Sequence, residues 1–228
     1  MQVTVIYYLD IISSWCYWAE PAWAELKRRY TGTVSFQWRI ALMDPAGLPA
    51  SRSQEDWFYR RSGVTVGSPF MLNSGWMEPG ATEYLAVNAV AVAARDMDAH
   101  LGRDEAPGHD PDRVRLALAQ ATVREGRRIA DWNVCVEIAS KAGNLDPHDL
   151  LARARSPSVE ARMRESTREF HALQVTQRPT FVILDEIGDR AVMSGLVRAD
   201  PLAATIDAML ADCRAYASWK AHFGDPPA

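Results

Sequence analysis

From Gln2 to Leu9 the chain is almost unbroken β-branched and aromatic residues, the pattern of a strand buried on both faces. Helical spacing follows in "SSWCYWAEPAWAELKRRY", with Trp15, Trp18 or Ala19, Ala22 and Leu26 recurring on one side, until Thr31-Gly32 breaks it. Thr33 to Leu42 alternates as a second strand, so the first forty residues read as a β-α-β unit with parallel strands. After "MDPAGLP" the pattern changes. Gln54 to Arg61 is a short amphipathic stretch, a Gly, Pro and Ser-rich loop runs to Gly80, and helices then dominate.

Thr82 to Met97 carries Ala and Val on nearly every face, as a buried helix does. Asp112 to Ile129 and Trp132 to Ala142 are amphipathic, with Asp131 placed to cap the second. Asp146 suits an N-cap and Pro147 a first helical position. A further helix over "PSVEARMRESTREFHAL" leads to "VTQRPTFVIL", a hairpin around Asp185 to Asp189, and a last helix from Asp200 to about Ser218. The order β-α-β, helical block, α-β-β-α defines an α/β protein whose sheet is interrupted by an all-helical insertion.

Composition narrows the function. The 228 residues, 48% hydrophobic, can bury the core of one large domain or two small ones. A net charge of -4 and the lack of a basic run with interleaved aromatics exclude nucleic acid and an anionic membrane surface as expected partners. No window approaches the roughly twenty apolar residues of a membrane span, and the N-terminus has no basic leader, so a cytoplasmic location is expected. Cys16, Cys135 and Cys213 are odd in number and far apart, in keeping with a reducing compartment. The polar segment 100–113, with His100, His109, Asp110 and Asp112, reads as a solvated loop rather than a ligand set. Neither a metal nor a nucleotide is expected as cofactor, since no glycine-rich strand-to-helix turn occurs.

The chemistry concentrates in "DIISSWCYW" (10–18), where a cysteine one turn into a helix follows a serine three positions earlier. Two cysteines at that spacing would form a redox pair, but here Ser13 holds the first place. Its hydroxyl forms no disulfide and, without an adjacent base, makes a poor nucleophile. It can cap the helix, or it can present a donor to another molecule's thiolate. Cys16, flanked by Trp15, Tyr17 and Trp18, reads as buried packing or as a monothiol, the latter needing exposure and a lowered pKa. Cys135 and Cys213 read as packing residues.

The two ends together resemble the DsbA family of thioredoxin-fold proteins, in the branch holding FrnE-like proteins, 2-hydroxychromene-2-carboxylate isomerases and kappa-class glutathione transferases. Asp10, Ser13, Ser14, Trp15, Cys16 and Tyr17 match the branch's "D-x-x-C-P-W-C-Y" opening. Arg178-Pro179-Thr180-Phe181-Val182-Ile183 match its cis-proline loop, and "REGRRIADWNVCVEIASKAGNLD" (124–146) matches its insertion. The resemblance implies a thioredoxin-like domain from 1–50 and 151–228 with a helical insertion over 51–150, and often a homodimer.

It further implies that Ser13, with Ser14 and Trp15 beside it, hydrogen-bonds the sulfur of bound glutathione or another low-molecular-weight thiol. Pro179 and Thr180 would border the groove, and Arg178 could meet a substrate carboxylate or be a plain surface arginine. Glutathione-using relatives carry an acidic turn where this chain has Gly195-Leu196-Val197-Arg198, which leaves Arg198 but no carboxylate. Trp57, Phe58, Tyr59, Phe70, Trp76 and Met77 could roof a cleft for an aromatic or hydrophobic small molecule, or pack a domain core. The functions implied are a thiol-dependent isomerase or transferase, a thiol-disulfide oxidoreductase using Cys16 alone, or a redox-silent binding protein or thiol-independent tailoring enzyme.

Overall fold

In the computed structural model, which describes residues 3–78, 80–103, 110–195 and 198–224, the apolar run at the start becomes one of the two inner strands of a four-stranded sheet. β1 (Val3–Leu9) pairs in parallel with β2 (Val34–Ile40), from Val3 opposite Val34 to Leu9 opposite Ile40. α1 (Ser14–Arg29) makes the crossover between them. On the other side β1 pairs antiparallel with β3 (Thr180–Leu184), which turns into β4 (Arg190–Ser194), giving the order β2-β1-β3-β4. The hairpin is tied by Asp185, whose Oδ1 accepts from the backbone N–H groups of Ile187, Gly188 and Asp189 at 3.1, 3.0 and 2.9 Å.

Each face of β1 is covered, which explains its unbroken hydrophobicity. Val3, Val5, Tyr7 and Leu9 pack under α1 and under α8 (Ala199–Phe223), with Tyr7 stacked on Phe181 at 4.7 Å and tilted against Trp23 at 5.2 Å. Ile6 and Tyr8 face Phe170 of α7 (Pro157–Ala172).

Between β2 and α7 lie α2 (Arg52–Val66), α3 (Leu85–His100), α4 (Arg113–Val123), α5 (Trp132–Gly143) and α6 (Pro147–Ala154). Asp131 and Asp146 cap α5 and α6 as their positions predict, accepting from Asn133 and Asp149 N–H groups. Residue 150 falls inside α6, so the helical block extends to 154. α4 stops at Val123 rather than reaching Ile129, because the chain turns at Gly126 with φ +66°. α2 and α8 run longer than their periodicity marks. Among the described residues no helix is long and apolar enough to cross a membrane.

The helical block shares one buried cluster with the sheet and is clamped to α1 by charge. Arg115 of α4, its side chain almost wholly enclosed, forks onto both carboxylate oxygens of Glu20, with Nη2 at 2.8 Å from Oε2. Buried Asp112 accepts from Trp23 Nε1 at 2.9 Å and Lys27 Nζ at 2.5 Å. The pair's attraction competes with a large desolvation cost, but removing Glu20 leaves the enclosed Arg115 with only Asp112, whose Oδ2 lies 3.4 Å from Nη2, as counter-charge. Glu20→Ala is therefore expected to cost about 3 kcal/mol and to lower the melting temperature by roughly 6–12 °C in a chain of this size. Thermal denaturation followed by circular dichroism checks this, and a change within about 2 °C would show the pair to be dispensable.

Candidate active site

Where β1 ends, the chain is held by a buried carboxylate. Asp10 Oδ1 accepts from Ile12 N at 3.3 Å and Asn88 Nδ2 at 2.7 Å, and its Oδ2 accepts from Met43 N at 2.7 Å. Asn88, inside α3, accepts in turn from Ile11 N at 3.2 Å. Burial raises the Asp10 carboxyl above its usual range, against the pull of these donors and of Arg178. The Asp10 carbonyl accepts from Ser13 N at 3.0 Å, so the residue that ends the strand also sets the start of α1.

Ser13 is the N-cap of α1, extended at φ -77° and ψ 118°, and its Oγ accepts from Cys16 N at 3.3 Å. Accepting through a lone pair leaves the hydroxyl's own proton to donate. Ser13, Ser14 and Trp15 line one side of a cleft of ≈ 230 Å³. Gln177 and Arg178 approach from the segment before β3, where the Arg178–Pro179 bond is cis. The facing wall belongs to the helical block, with Glu55, Phe58 and Arg61 from α2 and Trp76 from the turn that follows.

α2 presents an unusual face to this cleft. Its buried positions are Glu55, Tyr59, Ser62 and Gly63, while Trp57 and Val64 are 57% and 83% exposed. The polar stripe is satisfied by partners from elsewhere in the chain. Trp18 Nε1 donates to Ser62 Oγ at 3.1 Å, and Trp76 Nε1 donates to Tyr59 Oη at 2.7 Å. Tyr59 is hydrogen-bonded to Glu55, and since an indole N–H only donates, the tyrosine proton goes to the carboxyl. Trp76 is held close by glycines: a Cβ on Gly126 would lie 2.5 Å from Asn73 Oδ1, and one on Gly75 would lie 3.0 Å from the Gly126 carbonyl. Arg61 spreads over the rings of Trp15, Trp57 and Phe58 at 5.8, 5.4 and 5.2 Å.

Two groups here are displaced from ordinary acidity. Burial pushes the Glu55 carboxyl up from 4.5 to about 7; the Tyr59 hydrogen bond lowers it, and nearby Asp56 adds to the rise. Burial pushes the Cys16 thiol up from 9.0 to about 12, although the Ser13 hydroxyl and the Asp10 backbone favour its thiolate.

Against known proteins, the family model for the DSBA-like thioredoxin domain matches residues 4–207, nearly the whole chain. The protein belongs to the DSBA-like thioredoxin domain family. No curated protein matches it. Among solved structures, a candidate protein disulfide isomerase from Nitrosomonas europaea superposes with TM-score 0.71 at 16% identity, covering 93% of this chain and 99% of that one. The cytosolic disulfide reductase DsbM from Pseudomonas aeruginosa, solved also with GSH, gives 0.67 at 23% identity, covering 91% and 98%. A 2-hydroxychromene-2-carboxylate isomerase gives 0.57 at 18%, covering 95% and 98%. These likenesses carry the thioredoxin-like fold.

In this DSBA-like chain Ser13, Ser14, Trp15, Trp76 and Arg178 meet at one cleft, but several expected roles change. Arg178 is neither a surface residue nor an open fork. It is 8% exposed, its Nε and Nη2 donate to the carbonyls of Ala41 and Leu42 at 2.6 Å each, and its plane lies 4.4 Å over Phe170. Trp57 points to solvent and does not roof the cleft; Phe58 takes that place. Phe70 packs on Trp18 and under Arg124 instead. Thr180 is fully buried, donating to the Gln177 carbonyl at 2.7 Å and sharing a hydrogen bond with the Ser194 hydroxyl at 3.0 Å, so it braces the loop behind the cleft. Arg198 is exposed ahead of α8 and is not among the cleft's lining residues. Leu196 and Val197 of the altered turn, and His109 of the polar loop, lie outside the described residues.

Asp112 is taken up by Trp23 and Lys27, and the carboxylate and imidazole groups of Asp146, His148 and Asp149 gather on the surface. Cys135 donates to the Ile129 carbonyl, and all three cysteines are buried. The residues that pattern reading missed are Glu55, Tyr59 as its partner, and Arg61. The i, i+4 spacing of Glu55 and Tyr59 was the available signal, but it lies among aromatic residues, of which Phe58 meets the cleft and Trp57 faces water.

Two outcomes follow for these groups. A thiol at about 12 and 2% exposure should leave Cys16 unalkylated in the native protein near neutral pH and reactive only on unfolding, as mass spectrometry with and without denaturant would show; rapid native labelling would contradict this burial. For Glu55, folding favours the protonated form, so its contribution to stability is complete below its ordinary 4.5 and is lost as pH rises to about 7. Glu55→Gln should then be more stable than the parent at alkaline pH, by up to about 3 kcal/mol, with the difference vanishing in acid; urea unfolding across pH measures it, and a pH-independent difference would rule the shift out.

Proposed function

We propose that this DSBA-like protein is a thiol-dependent enzyme that borrows its nucleophile from a bound low-molecular-weight thiol, with glutathione the leading candidate. The observation that carries this reading is the contrast within one helical turn. Cys16, the cysteine at the motif, is buried, held as a neutral thiol and absent from the cleft wall, while Ser13 beside it, though largely buried too, lines the cleft, where its proton can go to a ligand in place of the Cys16 sulfur. The chain's own sulfur is withdrawn from chemistry, and the position that would hold a reactive thiolate offers a receptor for one. The first-turn amides of α1 and the positive end of its dipole favour an anion at that point.

The walls favour a flat, apolar substrate. Trp15, Phe58 and Trp76 supply aromatic surface, and Arg61 supplies a cation over it. A thiolate on Ser13 would add to an unsaturated carbon conjugated to a carbonyl, with the displaced electron pair moving to the carbonyl oxygen. Rotation and expulsion of the thiolate give an isomer; protonation of the carbon gives a thioether conjugate. The GSH found with DsbM and the isomerase name of another structural relative support a thiol and a small molecule as the things handled here. A monothiol redox role for Cys16 has less support, since it needs the access and acidity that burial removes.

Isothermal titration with reduced glutathione tests this directly. Ser13→Ala removes a hydrogen bond to a charged sulfur and should weaken binding about tenfold or more, whereas Cys16→Ala should leave it within about twofold. Equal binding by Ser13→Ala and the parent, or no saturable thiol binding, would overturn the reading.

A further inference from the structure

We propose that Glu55 is the proton acceptor for the thiol held at Ser13. This rests on the borrowed-thiol reading and adds the step that reading leaves open, namely where the S–H proton goes. Glu55 lines the same cleft as Ser13 and Ser14, and it is 6% exposed. It occupies the first turn of α2, where an acid aids the helix just as well pointing to water. Turning it inward costs desolvation and gains no cation: what acts on it is burial, the Tyr59 hydroxyl and Asp56. The titratable and charged groups around it are Arg52, Asp56, Tyr59 and Arg61 on α2, Glu78 and Tyr84 before α3, and Arg178 on the cleft's other wall.

The Trp76 to Tyr59 to Glu55 chain fixes the carboxyl by one donor and leaves its remaining lone pairs for the cleft. A carboxyl at about 7 is half ionised near neutral pH and lies within reach of a thiol's own acidity, which is the match general base catalysis needs. In the step, the S–H bond breaks, an O–H bond forms on Glu55, and the electron pair stays on sulfur. The negative charge moves from the carboxylate, where burial disfavours it, to the sulfur, where Ser13 and the α1 amides receive it. When the thiolate has added, the Glu55 proton is available for the carbon; when the thiolate is expelled, the proton returns to sulfur.

The test is calorimetric binding of reduced glutathione and of S-methylglutathione to the parent and to Glu55→Gln. It is run at about pH 8 in buffers of different ionisation enthalpy, and the ultraviolet absorbance of the bound thiolate is recorded. The parent should form the thiolate with almost no proton released to buffer. Glu55→Gln should bind S-methylglutathione unchanged, and either lose the thiolate absorbance or release about one proton per thiol bound. The same thiolate signal and the same proton count in both proteins would overturn the role of Glu55 alone, as would a parent that binds glutathione as the neutral thiol. Failure of the parent to bind either compound would instead overturn the borrowed-thiol reading, and Glu55's role with it.

Discussion

The site depends on a single buried carboxylate. Asp10 leaves β1 and receives hydrogen bonds from its own loop at Ile12, from the segment after β2 at Met43, and from the helical block at Asn88. A carboxylate has room for about four donors, and an unpaired one in the interior is strongly penalised. Three parts of the chain that are distant in sequence are therefore held to one point, and that point sets the start of α1 through the Asp10 carbonyl and Ser13 N–H. Arg178 completes the frame from the opposite side by donating to Ala41 and Leu42, the carbonyls just ahead of Met43. Both Asp10 and Arg178 are thus spent on holding the chain's own segments together.

α2 is where stability yields to the site. A helix normally turns its apolar stripe inward, yet here Glu55, Tyr59 and Ser62 are buried while Trp57 and Val64 face water. That arrangement survives because Trp18 and Trp76 supply indole donors to Ser62 and Tyr59. It persists also because the glycines at 75 and 126 let the Trp76 turn approach the end of α4. An acid kept inside without a cation is a feature more often found at functional positions than at purely structural ones.

Much of the architecture was legible from local pattern. The β-α-β opening, the hairpin at Asp185 and the caps at Asp131 and Asp146 all depend on residues close in sequence, and each formed as its pattern predicts, whereas the pairing of β1 with β3 joins strands far apart in sequence, with Thr4 opposite Leu184. Ser13 and Cys16 were placed by the same means, since a cap and the residue one turn later are fixed by helix geometry. Helix ends were less well placed where a distant contact decided them, as at Gly126.

What the sequence determined by itself is the α/β order of elements, the start of α1 with a serine where a paired cysteine would stand, and the lack of any second thiol near it. Only the tertiary structure decided that Cys16 is sealed, that the Arg178 fork is spent on carbonyls, that Trp57 faces away, and that Glu55 enters the cleft. The reason is that periodicity records which side chains are polar, whereas burial depends on whether a polar group finds a partner. For Glu55, Ser62 and Arg178 those partners lie four, 44 and 137 residues away, and only the last two separations lie beyond any local pattern. Glu55 was hidden by its neighbours' hydrophobicity rather than by distance.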